Sequence, residues 1–223
     1  MTRLQPTQPM LTRLLEVACA LTALVGLAPL LLLFAALIWM DDGRPVLFRQ
    51  TRVGRNGRPF RILKFRTMRP GSFGRAITAA GDRRVTRVGT WLRRLKLDEL
   101  PQLINVLKGD MSLIGPRPEV PEFVEFDNAL WRAVLEVRPG ITDLASLVYR
   151  NEEDMLGPAL DPDAYYRSAI LPAKLRLNLQ YLQSRSVRQD LRLLWLTARY
   201  SFFPRGFDRD RVARSFSVQE CKL

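Results

Sequence analysis

The sequence predicts an α+β fold that is mostly helical, with one short β-hairpin and an N-terminal helix associated with a membrane. Three observations lead to this prediction. Val17–Met40 is an apolar run of 24 residues without a charge. The pair Asn56-Gly57 joins two extended stretches, as in a tight hairpin. After residue 82 the apolar residues recur at helical spacing, and a chain of 223 residues can bury its own core.

The apolar run has three interpretations: a cleaved signal peptide, a spanning helix or a re-entrant helix. A signal peptide usually has a shorter apolar region that ends in small residues, whereas Ile38-Trp39-Met40 closes this one. A straight helix of this length would measure about 36 Å and could cross the ~30 Å hydrocarbon core. Pro29, close to Gly26, predicts a sharp bend because it clashes with the carbonyl of Val25.

The charges on either side of the apolar run favour the re-entrant interpretation. Arg3 and Arg13 precede the run, and a strongly basic region follows it. Positive residues prefer the cytoplasmic side of a membrane, and only a helix that enters and leaves by the same face keeps both groups there. Because proline also occurs in spanning helices, a spanning helix remains the alternative.

The composition restricts the chemistry. The chain has 35 Lys and Arg against 22 Asp and Glu, for a net charge of +13. This excess predicts an anionic partner: nucleic acid, an acidic membrane face or a phosphate-bearing substrate. Histidine is absent, which excludes Ser-His-Asp and Cys-His catalysis and a His-ligated metal. Cys19 and Cys221 are the only cysteines, so we expect no disulfide framework.

The elements follow in order after the apolar run. Residues 46–50 and 59–65 are predicted to form the hairpin, and 70–81 a loop. A helix from Asp98 should end at Gly109, and 111–121 should be a rigid loop because of its prolines. Further helices are predicted over 82–96, 122–136, 172–183 and 186–203. In the last of these, the stripe Leu191, Leu194, Trp195 and Ala198 predicts either core packing or a helix lying on lipid, and the chain from Pro204 should be less ordered.

Asp98 and Glu99 are the first candidates for chemistry. They follow a basic cluster, Arg93, Arg94 and Lys96. The pair could simply complement the dipole at a helix start. It could also work on a phosphate, because a carboxylate beside arginines stays ionised and can ligate Mg²⁺ or attack phosphorus.

Three cationic residues are weaker candidates on their own. Arg117 lies between Pro116 and Pro118, so a stiff loop presents a guanidinium suited to bidentate phosphate contacts. Lys64 ends the hairpin, and Arg138 precedes a Pro-Gly turn. For each of them the alternative is an ordinary solvated surface residue.

Five blocks of sequence resemble, in order and spacing, the bacterial sugar transferases, the small monotopic polyprenyl-phosphate phosphoglycosyl transferases. The blocks are PVLFRQTRVG at 45–54, FRILKFRTM at 60–68, LDELPQLINVLKGDMS at 97–112, GPRP at 115–118 and RPGIT at 138–142. The resemblance covers about residues 11–200. It implies a re-entrant helix, helices on the membrane surface, and transfer of a sugar phosphate from a UDP-sugar to undecaprenyl phosphate with release of UMP.

The resemblance also implies roles for residues. The family's Asp-Glu dyad falls on Asp98 and Glu99, with the Asp as nucleophile and as ligand of an assisting Mg²⁺. The family's phosphate-binding arginines fall on Arg93 and Arg117, and its hairpin lysine falls on Lys64. We add Arg138, the first residue of the last block, as a substrate-binding residue.

The sequence departs from the family at two places. Ala28-Pro29 stands where many members have Ser-Pro, so the bend must be stabilised without that hydroxyl. Asp143-Leu144-Ala145-Ser146 stands where many have Gly-Leu-Ala-Gln. The second departure leaves the sugar specificity open.

The expected organisation has four parts, at the cytoplasmic face of a bacterial inner membrane. These are an N-terminal flank (1–13), a re-entrant helix (14–41), a cytoplasmic catalytic domain (42–203) and a C-terminal tail (204–223). The expected partners are a UDP-sugar, undecaprenyl phosphate and membrane lipid, without nucleic acid; a homodimer is left open. The alternative is a non-enzymatic, membrane-anchored binder of nucleic acid or anionic lipid, whose basic residues alternate with aromatic ones.

Overall fold

The computed structural model describes residues 10–69, 71 and 82–216. The predicted loop over 70–81 lies outside the described residues except for Gly71, and so do Arg3 and Cys221. The described residues are mostly helical and include two small two-stranded sheets, one antiparallel and one parallel. The predicted α+β class is therefore confirmed.

Two helices meet at a sharp bend at the N-terminal end. Helix α1 spans Met10–Gly26 and helix α2 spans Ala28–Asp42, with a bend of 61° between them. Pro29 lies in the first turn of α2, where its missing amide hydrogen costs nothing. The predicted bend is thus confirmed, although α1 begins before residue 14. Among the described residues no single helix is long and apolar enough to cross a membrane, but this bent pair meets the length and composition criteria together.

The predicted hairpin is confirmed. Strands β1 (Leu47–Val53) and β2 (Pro59–Phe65) pair antiparallel, with Leu47 opposite Phe65. The turn places Asn56 at φ 56° and Gly57 at φ 73°, the left-handed conformations that these two residue types tolerate best. The hairpin packs on helical elements through β2, as a short hairpin needs.

The segment after the hairpin carries three short helical elements. Helix α3 (Arg87–Arg94) begins where the Thr86 hydroxyl accepts a hydrogen bond from Gly89, five residues after the predicted start. A 3₁₀-helix spans Leu97–Gln102, and helix α4 spans Leu103–Lys108. The predicted helix from Asp98 therefore starts as a 3₁₀-helix, and Gly109 ends α4 at φ 90° as expected.

A small parallel sheet replaces part of the predicted rigid loop. Strand β3 (Ser112–Ile114) pairs with strand β4 (Gly140–Thr142). A Cβ atom on Gly140 would lie 2.1 Å from the Gly115 nitrogen, so glycine is required for this close approach. Strands of three residues are too short to show a period of two, which explains why the sequence did not predict them.

The C-terminal half forms the largest hydrophobic core. Its elements are a 3₁₀-helix (Pro121–Phe123), α5 (Ala129–Leu135), α6 (Leu144–Val148), α7 (Glu152–Leu156), α8 (Pro162–Tyr165), a π-helix (Tyr166–Ile170), α9 (Leu171–Ser184), α10 (Val187–Phe202) and α11 (Arg209–Ser215). The helices predicted over 172–183 and 186–203 are confirmed as α9 and α10. Only 129–135 of the helix predicted over 122–136 is α-helical, because Asn128 caps it there.

The C-terminal end differs from the sequence analysis in two respects. Helix α11 buries Val212 and Ala213, and Phe216 behind it is fully buried, so this part of the chain after Pro204 is ordered against the core. In α10 the buried face carries Leu193, Leu196 and Tyr200. Of the stripe in the sequence analysis, Leu194 packs against the core, whereas Leu191 and Trp195 are 63% and 56% exposed. The core-packing alternative therefore holds for Leu194 and not for Leu191 and Trp195.

Candidate active site

The acidic pair is buried at the start of the 3₁₀-helix that spans Leu97–Gln102. Asp98 and Glu99 are only 8% and 7% exposed and lie in the first turn of the 3₁₀-helix. Lys96, at φ 59°, turns the chain sharply between α3 and this helix. Leu97 and Leu100 pack against a cluster shared by α2, β2 and α3. Packing of the 3₁₀-helix against α2, β2 and α3 therefore fixes where the two carboxylates lie.

Glu99 is held by two cations. Lys64 Nζ, near the end of β2, lies 2.8 Å from Glu99 Oε1. Arg117 donates from Nη2 to Oε1 at 2.7 Å and from Nη1 to Oε2 at 3.3 Å. Fork-to-fork contacts of this kind are the stronger class of charge-assisted hydrogen bond. The structure thus brings together three residues that are far apart in the chain.

Asp98 has no such partner. No described residue makes a hydrogen bond or an ion pair with its carboxylate. Burial raises the pKa of Asp98, and the neighbouring charge of Glu99 raises it further. Burial would also raise the pKa of Glu99, but Arg117 and Lys64 outweigh it and hold that pKa well below its usual range. Glu99 is therefore ionised and held in place, whereas Asp98 pairs with no described residue and its carboxylate is more basic.

The cations are perturbed as well. Burial, together with the charge of Arg117, lowers the pKa of Lys64 to about 8. The charge of Glu99 raises the pKa of Arg117 well above its usual range. Near pH 8, the site therefore combines Arg117, which stays charged, with Lys64, which loses its charge as the pH rises.

The other two predicted residues lie differently. Arg93, in the last turn of α3, pairs with Glu153 of α7, and its charge acts on Asp98. Arg138 donates from Nε to the carbonyl of Gly109 at 3.2 Å. The charges that act on Arg138 are Arg13, Arg55 and Glu16 rather than the acidic pair. The structure groups Arg93 with the candidate site and leaves Arg138 outside that group.

Sequence reasoning missed a set of polar residues beside Arg117. Glu119, Tyr166 and Lys174 are buried, and their partners Arg52 and Glu152 are partly buried. One signal was available: Lys174 falls on the same stripe of α9 as the apolar residues Leu171 and Tyr181, and all three are buried. A lysine at such a position must have a partner in the core.

The site offers few side chains that could bind a metal ion. Within the part of the chain that the structure describes, no three side chains of the metal-ligating kind are grouped together. Mg²⁺ does not need such a cage, because it is commonly held by one or two carboxylates together with substrate phosphates and water. Asp98, which has no hydrogen-bond or ion-pair partner in the described ranges of the chain, fits the role of that carboxylate.

Comparisons with known proteins point to one family. The sequence model described as bacterial sugar transferase matches residues 7–204. The chain is 44% identical, over 170 residues, to a UDP-N-acetylgalactosamine-undecaprenyl-phosphate N-acetylgalactosaminephosphotransferase of Aeromonas hydrophila, covering 72% of the chain and 40% of that protein.

Two further relatives carry the name of another sugar. An undecaprenyl-phosphate glucose phosphotransferase of Komagataeibacter xylinus is 37% identical, over 87% of the chain and 36% of the relative. A UDP-glucose:undecaprenyl-phosphate glucose-1-phosphate transferase of Caulobacter vibrioides is 39% identical, over 83% of the chain and 67% of the relative. The chain thus spans well under half the length of the Aeromonas and Komagataeibacter proteins.

Proposed function

Because the chain belongs to the bacterial sugar transferase family, we propose that it transfers a sugar 1-phosphate from a UDP-sugar to undecaprenyl phosphate. The products are an undecaprenyl-diphosphate sugar and UMP. The observation that carries the proposal is the buried Asp98 carboxylate, which pairs with no described residue and lies beside a Glu99 held by Lys64 and Arg117. The names of the relatives support the reaction class, and the relatives differ in the sugar that their names give.

The cations of the site suit the diphosphate of the donor. A diphosphate repels an anionic nucleophile unless its charge is neutralised. Arg117 and Lys64 already hold the carboxylate of Glu99, and the charge of Arg93 acts on Asp98. We expect these three to contact the phosphates. Arg138 stays a prediction from the sequence, without support from its position.

In the first step, a carboxylate oxygen of Asp98 attacks the phosphorus that bears the sugar. The bond from this phosphorus to the bridging oxygen breaks, and UMP leaves with the electron pair. Asp98 then carries the phospho-sugar as an acyl phosphate, which makes this a case of covalent catalysis. The raised pKa of Asp98 favours a more nucleophilic carboxylate, and the surrounding cations favour its ionised form at the moment of attack.

In the second step, an oxygen of undecaprenyl phosphate attacks the same phosphorus. The acyl phosphate bond breaks, and Asp98 leaves as a carboxylate. This nucleophile is already ionised and needs no strong base. Because the pKa of Glu99 is well below its usual range, Glu99 is a poor base, and we assign it the role of orienting Lys64 and Arg117.

Mg²⁺ is the cofactor that this arrangement would use. Asp98 would hold the ion together with the phosphates of the donor. Bound there, Mg²⁺ would supply further neutralisation of the diphosphate and of the departing UMP.

A membrane location follows from the lipid acceptor. The bent pair exposes a broad apolar surface, formed by Leu11, Leu14, Leu15, Leu21, Val25, Leu32, Leu33, Trp39 and Met40. A helix pair bent by 61° whose two halves both pack under the site suits a re-entrant hairpin that enters and leaves by the cytoplasmic face of the inner membrane. The exposed stripe of α10 around Trp195, with Arg199 stacked 5.2 Å from its ring centre, suits a helix lying on lipid.

The test is a panel of UDP-sugars with undecaprenyl phosphate and Mg²⁺ in detergent, scored for UMP release and for the lipid product. We expect one or a few sugars to be turned over by the wild type and none by Asp98→Asn. A basic protein that only binds anionic lipid or nucleic acid would be indifferent to this substitution. Absence of transfer with every sugar would contradict the proposal.

A further inference from the structure

The loop that presents Arg117 is anchored through Glu119. Glu119 is 8% exposed, and its Oε1 accepts a hydrogen bond from the Tyr166 hydroxyl at 2.6 Å. Its Oε2 lies 3.6 Å from Arg52 Nη1. Its own carbonyl accepts from the backbone of Val53 at 2.9 Å. Glu119 therefore ties the loop to β1 on one side and to the π-helix on the other.

The residues on either side of Arg117 are also held. The carbonyl of Pro116 accepts from the Gly140 nitrogen at 3.0 Å. The carbonyl of Pro118 accepts from Arg52 Nη1 at 3.2 Å. With Glu119 these bonds fix the backbone before and after Arg117, so the guanidinium starts from one defined position. Two of the anchors join side chains directly, without using the backbone: the Tyr166–Glu119 hydrogen bond and the longer Arg52–Glu119 ion pair.

Tyr166 is built to remain a donor. Burial, with the charge of Glu119, raises its pKa well above the usual range, so the phenol keeps its proton. Lys174 Nζ lies 3.4 Å from the Tyr166 oxygen and 2.9 Å from Glu152 Oε2. The positive charge of Lys174 therefore balances negative charge in this region. Tyr166 opens a π-helical turn, Tyr166–Ile170. Such turns are rare and are found preferentially at functional sites.

We infer that Tyr166 is a positioning residue for the proposed reaction, because through Glu119 it fixes the loop from which Arg117 contacts the donor diphosphate. The inference rests on the proposed function. Without the phenol, the buried Glu119 carboxylate loses its shortest hydrogen bond and must reorient, and the loop moves with it. Displacing a charged group by about 1 Å at a reacting centre is costly, at the order of 100-fold in rate.

The test compares two tyrosines. Tyr166→Phe should lower kcat/KM for the UDP-sugar by about 10- to 100-fold, from the loss of one hydrogen bond to a charged group up to the cost of displacing Arg117 by about 1 Å. Tyr181→Phe is the matched control, since its hydroxyl donates to Asp190 at 2.5 Å in a part of the core away from the site. It loses the same kind of bond and should leave kcat/KM unchanged. Thermal melting of both variants measures what each loses in stability.

A double-mutant cycle then decides between positioning and mere stability. In an Arg117→Ala background, Tyr166→Phe should cost less than about twofold, because residues that act through one another are not additive. Calorimetric binding of UDP to the same four proteins provides a readout that does not depend on turnover, and it should show the same loss of coupling.

An equal cost of Tyr166→Phe in both backgrounds, or equal damage from Tyr181→Phe, would overturn the inference. Transfer by the wild type together with an unaffected Tyr166→Phe variant would overturn the inference alone. A wild type that transfers no sugar phosphate would remove the proposed function, and the inference with it.

Discussion

Asp98 and Glu99 are neighbours in the chain, yet their surroundings give them opposite properties. Glu99 accepts three hydrogen bonds from Lys64 and Arg117, whereas Asp98 receives none from the described residues. A carboxylate that already satisfies two cations is a poor nucleophile, and a free one with a raised pKa is a better one. The chemistry is therefore expected at Asp98.

A covalent adduct on Asp98 is the most direct consequence. Wild-type protein given a UDP-sugar without lipid should release about one UMP per active site and then stop, as in a two-step reaction. Mass measurement of the quenched protein should place the added phospho-sugar on the peptide that contains residues 97–108. Asp98→Asn should form no adduct and still bind the UDP-sugar. UMP release that depends strictly on lipid, with sequential kinetics, would rule out this intermediate.

Lys64 should give the reaction an alkaline limit. Its pKa is lowered to about 8, so the cation is present below that pH and is lost as the pH rises through it. We expect kcat/KM of the wild type to fall above pH 8, because this parameter reports the free enzyme. Lys64→Arg keeps its charge to much higher pH. A profile that retains the alkaline limb in an active Lys64→Arg variant would show that another group titrates.

Arg117 should not tolerate lysine. A lysine can supply the charge but cannot reproduce the two parallel hydrogen bonds that Arg117 makes. We expect Arg117→Lys to lower kcat/KM by about 10- to 150-fold, the effect of one charge-assisted contact at about 1.5–3 kcal/mol. Arg185→Lys is the control, because Arg185 makes a similar two-pronged contact with Asp190, which is not part of the candidate site. Equal kcat/KM for Arg117→Lys and the wild type would show that Arg117 does not make a bidentate contact with the substrate.

At the scale of elements, the short helix α11 is a structural part of the domain. Phe216 behind it is fully buried and stacks edge-to-face on Tyr181, with ring centres 5.8 Å apart. Phe216→Ala should destabilise the protein by about 3–5 kcal/mol, as large-to-small changes in a core do. Urea unfolding in detergent measures this loss, and Phe203→Ala, at a residue 72% exposed, is the control. Equal midpoints for the two variants would show that α11 does not contribute to the core.

At the scale of the whole molecule, the proposed function requires a particular membrane topology of the bent helix pair. If the bent pair is re-entrant, both of its flanks face the cytoplasm. Single cysteines at Gln5 and Arg44, in a variant freed of Cys19 and Cys221, should both be labelled only after the membrane is permeabilised. Arg44 is chosen because it is exposed, whereas Gly43 has a φ of 70° that a cysteine would strain.

Pro29→Leu supplies the matched perturbation for this topology experiment. Without the proline a straighter and longer helix is favoured, so the N-terminal cysteine should become accessible from the periplasm and activity should fall. Labelling of one flank from the periplasm in the Pro29-containing protein would contradict the re-entrant arrangement.

The sequence by itself determined the elements whose signals are local. Pro29 predicted the bend, and Asn56-Gly57 predicted the hairpin turn. The resemblance of the five blocks to the family led to five residues that the fold groups together: Lys64, Arg93, Asp98, Glu99 and Arg117. Each of these signals lies within a few residues, where backbone geometry and periodicity act. Shorter elements such as β3 and β4 gave no such signal, since three residues cannot show a period.

Only the tertiary structure decided which candidates share a site and what holds them there. Glu99 and Arg117 meet because the hairpin, the 3₁₀-helix and the loop after β3 converge, and Arg138 does not join them. Tyr166 reaches Glu119 across 47 positions, a separation at which no local pattern operates. Packing also left Asp98 without a partner among the residues that the structure describes, and it turned Trp195 outward. Burial and charge pairing depend on how the elements are arranged in space and not on their order along the chain.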